Sequence, residues 1–129
     1  MHIEPSSIFK REAKRLIKKF PSLRAEIDNV KEAILEDPHH GESMGGGFYK
    51  IRVPIASKGV GKRGGARIVT YVQVVDEVVY LVSIYDKNER SDIDEIALKA
   101  FLKSKWPLST FAFLKYIYLI FKILYIPIQ

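Results

Sequence analysis

Three cations are spaced so that they can act together. Lys50 and Arg52 lie two residues apart in a run of alternating character, so on a strand their side chains leave the same face. Arg67 opens the next apolar run and comes close to them if the two strands pair. Between them, Lys58, Lys62 and Arg63 decorate a segment with glycines at 59, 61, 64 and 65, which let the chain bend with little side-chain bulk. Such a cluster can grip successive phosphates, and it can also do chemistry on them. RNA is cut without a metal when its 2′-hydroxyl attacks the adjacent phosphorus. The protein must then take the hydroxyl proton, stabilise charge on the phosphorane and protonate the departing 5′-oxygen. The planar, permanently charged guanidinium suits the second task. A lysine whose pKa is lowered by neighbouring cations suits the first or third.

The composition narrows the alternatives. The chain has 129 residues, enough for one compact domain, with 47% hydrophobic and 28% charged residues, the mix of a globular protein. Its 21 Lys and Arg against 15 Asp and Glu give a net charge of +6. No acid stands between Glu42 and Asp76, while six cations do, so the whole excess sits around the cluster. A polyanionic partner fits that distribution, and a solvated basic loop is the plainer reading. The absence of cysteine excludes disulfides, thiolate-held metals and thiol catalysis. His2, His39 and His40 are the only histidines, and the His39-His40 doublet reads as a solvated loop pair. Residues 57–65 do not form a nucleotide-binding loop, since Ala56 stands where its first glycine belongs and Arg63 where a metal-holding hydroxyl belongs. No metal or small-molecule cofactor is expected. The amino terminus shows no apolar core after a basic start, so a cytoplasmic protein is the expectation.

The elements that must hold the cluster follow from periodicity. Ser6 or Ser7 can cap a helix to about Lys19, with Phe9, Ala13, Leu16 and Ile17 on its apolar face. Ser22 can cap a second, to about Glu36, with Leu23, Ile27, Val30 and Ile34 buried. The Gly45-Gly46-Gly47 run breaks the pattern. Strands are predicted at Phe48–Ala56, Arg67–Val75 and Val78–Tyr85, the last two joined by a tight turn at Asp76-Glu77, and a first strand fits Met1–Glu4. Capping boxes at Ser91 or Asp92 start a last helix, with Ile96, Ala100 and Phe101 toward the sheet. The fold class is α+β, a helical hairpin packed on a small antiparallel sheet, with a C-terminal helix.

Several ordered segments resemble the RelE/ParE toxin superfamily: Phe9 to Leu16, Lys19 to Leu23, and Tyr49-Lys50-Ile51-Arg52-Val53. Residues 57–67, Val79-Tyr80-Leu81 and Ser83 to Glu89 are similar to its HigB-like branch of type II toxin–antitoxin systems. The resemblance covers about residues 3–103. It implies a RelE-like fold and an endoribonuclease, an mRNA interferase that cuts ribosome-bound mRNA and is neutralised by a cognate antitoxin. On it, Lys50, Arg52, Arg67 and Lys87 take the catalytic positions, and Lys58, Lys62, Arg63 and Tyr85 contact RNA. The sequence departs from the best-understood RelE toxins at Asn88, where they carry Arg, and at Asp94, where they carry Tyr. Two alternatives share the patch: a ParE-type gyrase poison and a non-catalytic nucleic-acid-binding module.

Residues 1–105 thus form the toxin-like domain. Residues 106–129 differ in composition, with Lys115 and Lys122 as the only charges and seven of the fifteen aromatics. As a membrane segment this stretch is near balance, roughly −6 kcal/mol from its apolar side chains against up to about +6 kcal/mol from the two lysines, so no membrane partner is expected. A docking segment, a weak anchor and a frameshift product remain alternative readings of it.

Overall fold

A computed structural model describes residues 1–58, 64–105 and Ile120. The elements run β1 (His2–Pro5), α1 (Ser7–Lys19), α2 (Leu23–Glu36), β2 (Glu42–Gly45), β3 (Phe48–Val53), a 3-10 turn (Ala56–Lys58), β4 (Ala66–Gln73), β5 (Val78–Asp86) and α3 (Glu95–Lys105). The strands form one sheet in the order β1-β5-β4-β3-β2.

Two helices cover one face of the sheet and one helix the other. Phe9, Ala13 and Leu16 of α1 and Leu23, Ile27, Val30 and Ile34 of α2 close over Ile51, Val53, Ile68, Leu81 and Ile84. These are the stripes that three- and four-residue spacing predicts. Each fully buried Leu or Ile here contributes about 1.5–3 kcal/mol by leaving water. On the opposite face Phe48, Val69, Tyr80, Val82 and Tyr85 pack with Leu98, Phe101 and Leu102 of α3.

The hydroxyl of Ser6 sets the start of α1 twice over. Its Oγ accepts from the Phe9 N–H at 3.0 Å and donates to the Val82 carbonyl at 2.8 Å, tying the helix cap to β5. Ser22 behaves differently from expectation and makes no cap bond. Its hydroxyl instead donates to Glu26 Oε1 and accepts from the Ser57 N–H, holding α2 to the turn after β3.

Four more expectations are corrected. The sheet is mixed, because β1 runs parallel to β5, with His2 opposite Val78. The glycine run does not interrupt the sheet but folds back a fifth strand, β2. Gly46 and Gly47 have φ of 64° and 89°, the two positive values that a two-residue hairpin turn needs to match strand twist. The β4–β5 connection spans residues 74–77, with Glu77 at φ 52°, longer than the Asp76-Glu77 turn predicted. Finally, α3 begins at Glu95. Asp94, not Ser91 or Asp92, accepts from the Ile96 N–H through its carboxylate. The buried face also lies about one residue round from the expected one: Ile96 is 76% exposed and Ala100 faces water, while Ala97, Leu98, Phe101 and Leu102 are buried. Among the described residues, no helix is long and apolar enough to cross a membrane. Residues 106–119 and 121–129, and so the readings of the tail, lie outside the described residues.

Candidate active site

Alternation along β3 sends Ile51 and Val53 into the core under α1 and α2 and leaves Lys50 and Arg52 on the opposite face. Pairing then builds a row across three strands. Arg52 lies opposite Arg67 on β4, and Arg67 lies opposite Tyr85 on β5. Directly opposed residues on antiparallel strands share a face with Cβ atoms roughly 5 Å apart. The row forms the floor of an open cleft of about 330 Å³, also lined by His40, Glu42, Lys50, Lys87 and Ser91. Lys50, Arg52, Arg67, Tyr85 and Lys87, five of the eight residues expected from sequence, thus converge.

The electrostatics of the row suit an anion. Arg67 is only 4% exposed, and its Nη1 donates to the Ala66 carbonyl at 3.0 Å. Burial, and secondarily the charge of Arg52, lower its pKa, with Tyr85 opposing. A guanidinium starts so high that it stays charged regardless, and a phosphate placed between the two arginines relieves their repulsion. Arg52 makes no ion pair among the described residues. Tyr85 is 2% exposed, and its hydroxyl finds no hydrogen-bond partner among the described residues. Burial first, then Asp92, push its pKa up to about 12 against the pull of Arg67 and Arg90. The phenol therefore keeps its proton at neutral pH and is a donor without an acceptor. Lys50 meets Asp92 at 3.3 Å, so a carboxylate occupies the position beside Lys50 that a phosphate would take.

Lys58 is placed elsewhere than expected. Its ammonium lies 2.7 Å from Asp86 Oδ1, with the side chains 12% and 3% exposed, and donates to the Gly64 carbonyl at 3.2 Å. It is not among the cleft-lining residues. Lys62 and Arg63 lie outside the described residues. Of the two departures from the RelE pattern, Asp94 has a structural occupation, capping α3 and lying 3.9 Å from Arg90, whereas at Asn88 it is the backbone N–H that donates to Asp86 Oδ1. Arg90 in turn reaches Glu12 of α1, whose carboxylate accepts from Ser83 Oγ and the Ile84 N–H, beside a register shift in the β4–β5 pairing where Val69 faces Ser83 and Thr70 faces Leu81.

His40 and Glu42 line the cleft although sequence reasoning set the histidine aside. No sequence signal marked it, because the approach of the neighbouring Gly41 to β3 exists only in the fold. At φ +104°, with a Cβ there standing 2.6 Å from the Lys50 carbonyl, only glycine fits, and the backbone is pressed against β3. Among the described residues no group of three or more His, Asp or Glu is placed to hold a metal ion.

A family model, the RelE toxin of the RelE/RelB toxin–antitoxin system, matches residues 2–112. Among solved structures, the free state of an E. coli RelE toxin carrying two arginine-to-alanine changes is similar in fold. It shares 17% identity at a TM-score of 0.51, over 70% of this chain and 86% of that one.

Proposed function

The chain belongs to the RelE toxin family, and from that premise we propose that it is a HigB-like toxin that cleaves ribosome-bound mRNA in the cytoplasm, held inactive by a cognate antitoxin. The observation that carries this reading is the row Arg52–Arg67–Tyr85 flanked by Lys50 and Lys87. In the proposed reaction the 2′-oxygen bonds to phosphorus and the bond to the 5′-oxygen breaks. A 2′,3′-cyclic phosphate and a 5′-hydroxyl result, so no water is consumed and no cofactor is needed. Arg52 and Arg67 hold the non-bridging oxygens as charge builds there. Tyr85 donates its hydrogen toward the phosphate or the departing oxygen, the acceptor it lacks in the free protein. Lys50 exchanges Asp92 for the RNA backbone, and Lys87 contacts it from the end of β5. An antitoxin with acidic segments would cover this face and compete for the same cations.

The test is induction in a bacterial host with and without Arg67→Ala, following growth while mRNA 5′ ends are mapped. The expected result is growth arrest with new cuts inside translated codons, both lost in the variant. Arrest without cuts would refute the nuclease reading and turn attention to gyrase.

A further inference from the structure

The row supplies charge and a hydrogen-bond donor but nothing to receive the 2′-hydroxyl proton. Arginines do not exchange protons at working pH, and the phenol of Tyr85 already carries one. From the side of the cleft opposite Tyr85, where β2 follows β3 in the sheet, we infer that His40 is the residue that takes the 2′-hydroxyl proton in RNA cleavage. This deepens, and rests on, the nuclease reading above.

Three features place His40 for the task. The histidine doublet is divided: His39 sets its ring edge-on to Tyr49, 5.4 Å between centroids, whereas His40 lines the cleft. The backbone directly after His40 is fixed by Gly41, which lies too close to Lys50 and Ile51 for any side chain. The sheet order also sets His40 and Tyr85 on either side of Arg52 and Arg67. In-line displacement needs that arrangement, with a base on the attacking side and a donor on the leaving side of a phosphate between them. Imidazole is the side chain whose charge change ordinarily falls near neutrality, which suits it to proton transfer at working pH.

Proton movements balance in this scheme. The 2′-hydroxyl proton passes to the free ring nitrogen of His40, the 2′-oxygen attacks phosphorus, and the 5′-oxygen leaves with a proton from Tyr85. Solvent then removes the proton from His40 and restores that of Tyr85. The titratable and charged groups that line the cleft with His40 are Glu42 on β2, Lys50 and Arg52 on β3, Arg67 on β4, Tyr85 on β5, and Lys87 just beyond it. On its far side, a second depression brings Glu26 of α2.

The experiment is single-turnover cleavage of ribosome-bound mRNA across pH 5–9 by the full chain, His40→Asn and His39→Asn. The expected result is a rate that falls in acid for wild type and His39→Asn. His40→Asn should be about 100-fold slower or more at neutral pH and should lack that acidic limb. Circular dichroism reports folding, and His40→Gln replaces His40→Asn if the latter does not fold. Free imidazole should restore part of the rate to His40→Gly. Wild-type cleavage with the His40→Asn profile unaltered would overturn the assignment alone, as would loss of the limb in Glu42→Gln but not in His40→Asn. A wild-type protein that cuts no RNA would overturn the nuclease reading and this assignment together.

Discussion

Replacing Lys58 by Met should weaken the fold and leave the proposed RNA contact of the cleft intact. The ammonium sits 2.7 Å from an Asp86 carboxylate whose side chain is 3% exposed, donates to the Gly64 carbonyl and lies 5.3 Å from the centre of the Phe20 ring. Removing one partner of a buried pair strands the other charge, at a cost of about 3–5 kcal/mol. Asp86 keeps the Asn88 N–H at 3.0 Å, which puts the loss at about 3 kcal/mol. For a chain of this size that is a fall in melting temperature of about 12 °C. The pH dependence has a definite sign. Burial pushes the Asp86 pKa up, but the hydrogen bonds from Lys58 and Asn88, with the charges of Lys58 and Lys19, outweigh it and the net shift is downward. A carboxylate with a lowered folded pKa stabilises the protein above its unfolded value, near 4, and that contribution fades as pH falls through the folded value. Urea unfolding at pH 7 and pH 3 should therefore show a wide gap between wild type and Lys58→Met that narrows in acid. A gap below about 1 kcal/mol at pH 7, the range of an exposed pair, would refute the reasoning. Weakened RNA binding at unchanged stability would return Lys58 to the RNA-contacting set.

Two further outcomes follow from burial. Tyr85→Phe removes a buried hydroxyl that lacks a partner among the described residues, so stability should hold or rise by about 1 kcal/mol. Cleavage measured on the same preparation should fall at least tenfold; a destabilised variant with full activity would contradict this. On α3, Leu98→Ala should cost about 3 kcal/mol by thermal unfolding and Ile96→Ala under about 0.5 kcal/mol, because Leu98 is buried and Ile96 is 76% exposed. Equal losses would mean that the helix presents a different face.

Where periodicity was long and one-sided, it led to the right structure. The stripes Phe9–Ala13–Leu16 and Leu23–Ile27–Val30–Ile34 bury as spaced, and the alternation through Ile51 and Val53 was enough to put Lys50 and Arg52 together. Short-range signals misled where several residues compete for one role. Ser91, Asp92 and Asp94 all suit a helix start, and with only a few apolar residues to fix the stripe, the buried face of α3 lies about one residue, roughly 100°, round from the expected one. The strand at Glu42–Gly45 is polar and only four residues long, so it has no hydrophobic alternation to betray it. Its evidence lay in the adjoining glycines, which mark a break and a hairpin turn equally well. Lys58 illustrates the limit of charge counting. A cation beside a glycine-rich basic run looks like a phosphate contact, and only the three-dimensional fold brings Asp86, 28 residues away, against it. The same holds for His40, whose place in the cleft depends on how β2 lies along β3.

The pairing of the first strand with the last has a consequence for synthesis. β1 bonds to β5, and the hydroxyl at the start of α1 reaches a carbonyl 76 residues further on. Such separated contacts close late and slowly, since the intervening chain must be ordered before they form. The cleft obeys the same timetable: Lys50 and Arg52 leave the ribosome first, Arg67 next, and Tyr85 and Lys87 last. At about 5–20 residues per second, Tyr85 follows Arg52 by about 2–7 s. Through that interval the nascent chain holds an incomplete row of cations with its helical hairpin still lacking the β5 surface it packs on. A chain aborted before Val78 has neither a finished sheet nor a finished cleft, so the topology itself delays the appearance of a complete site until most of the chain has been made.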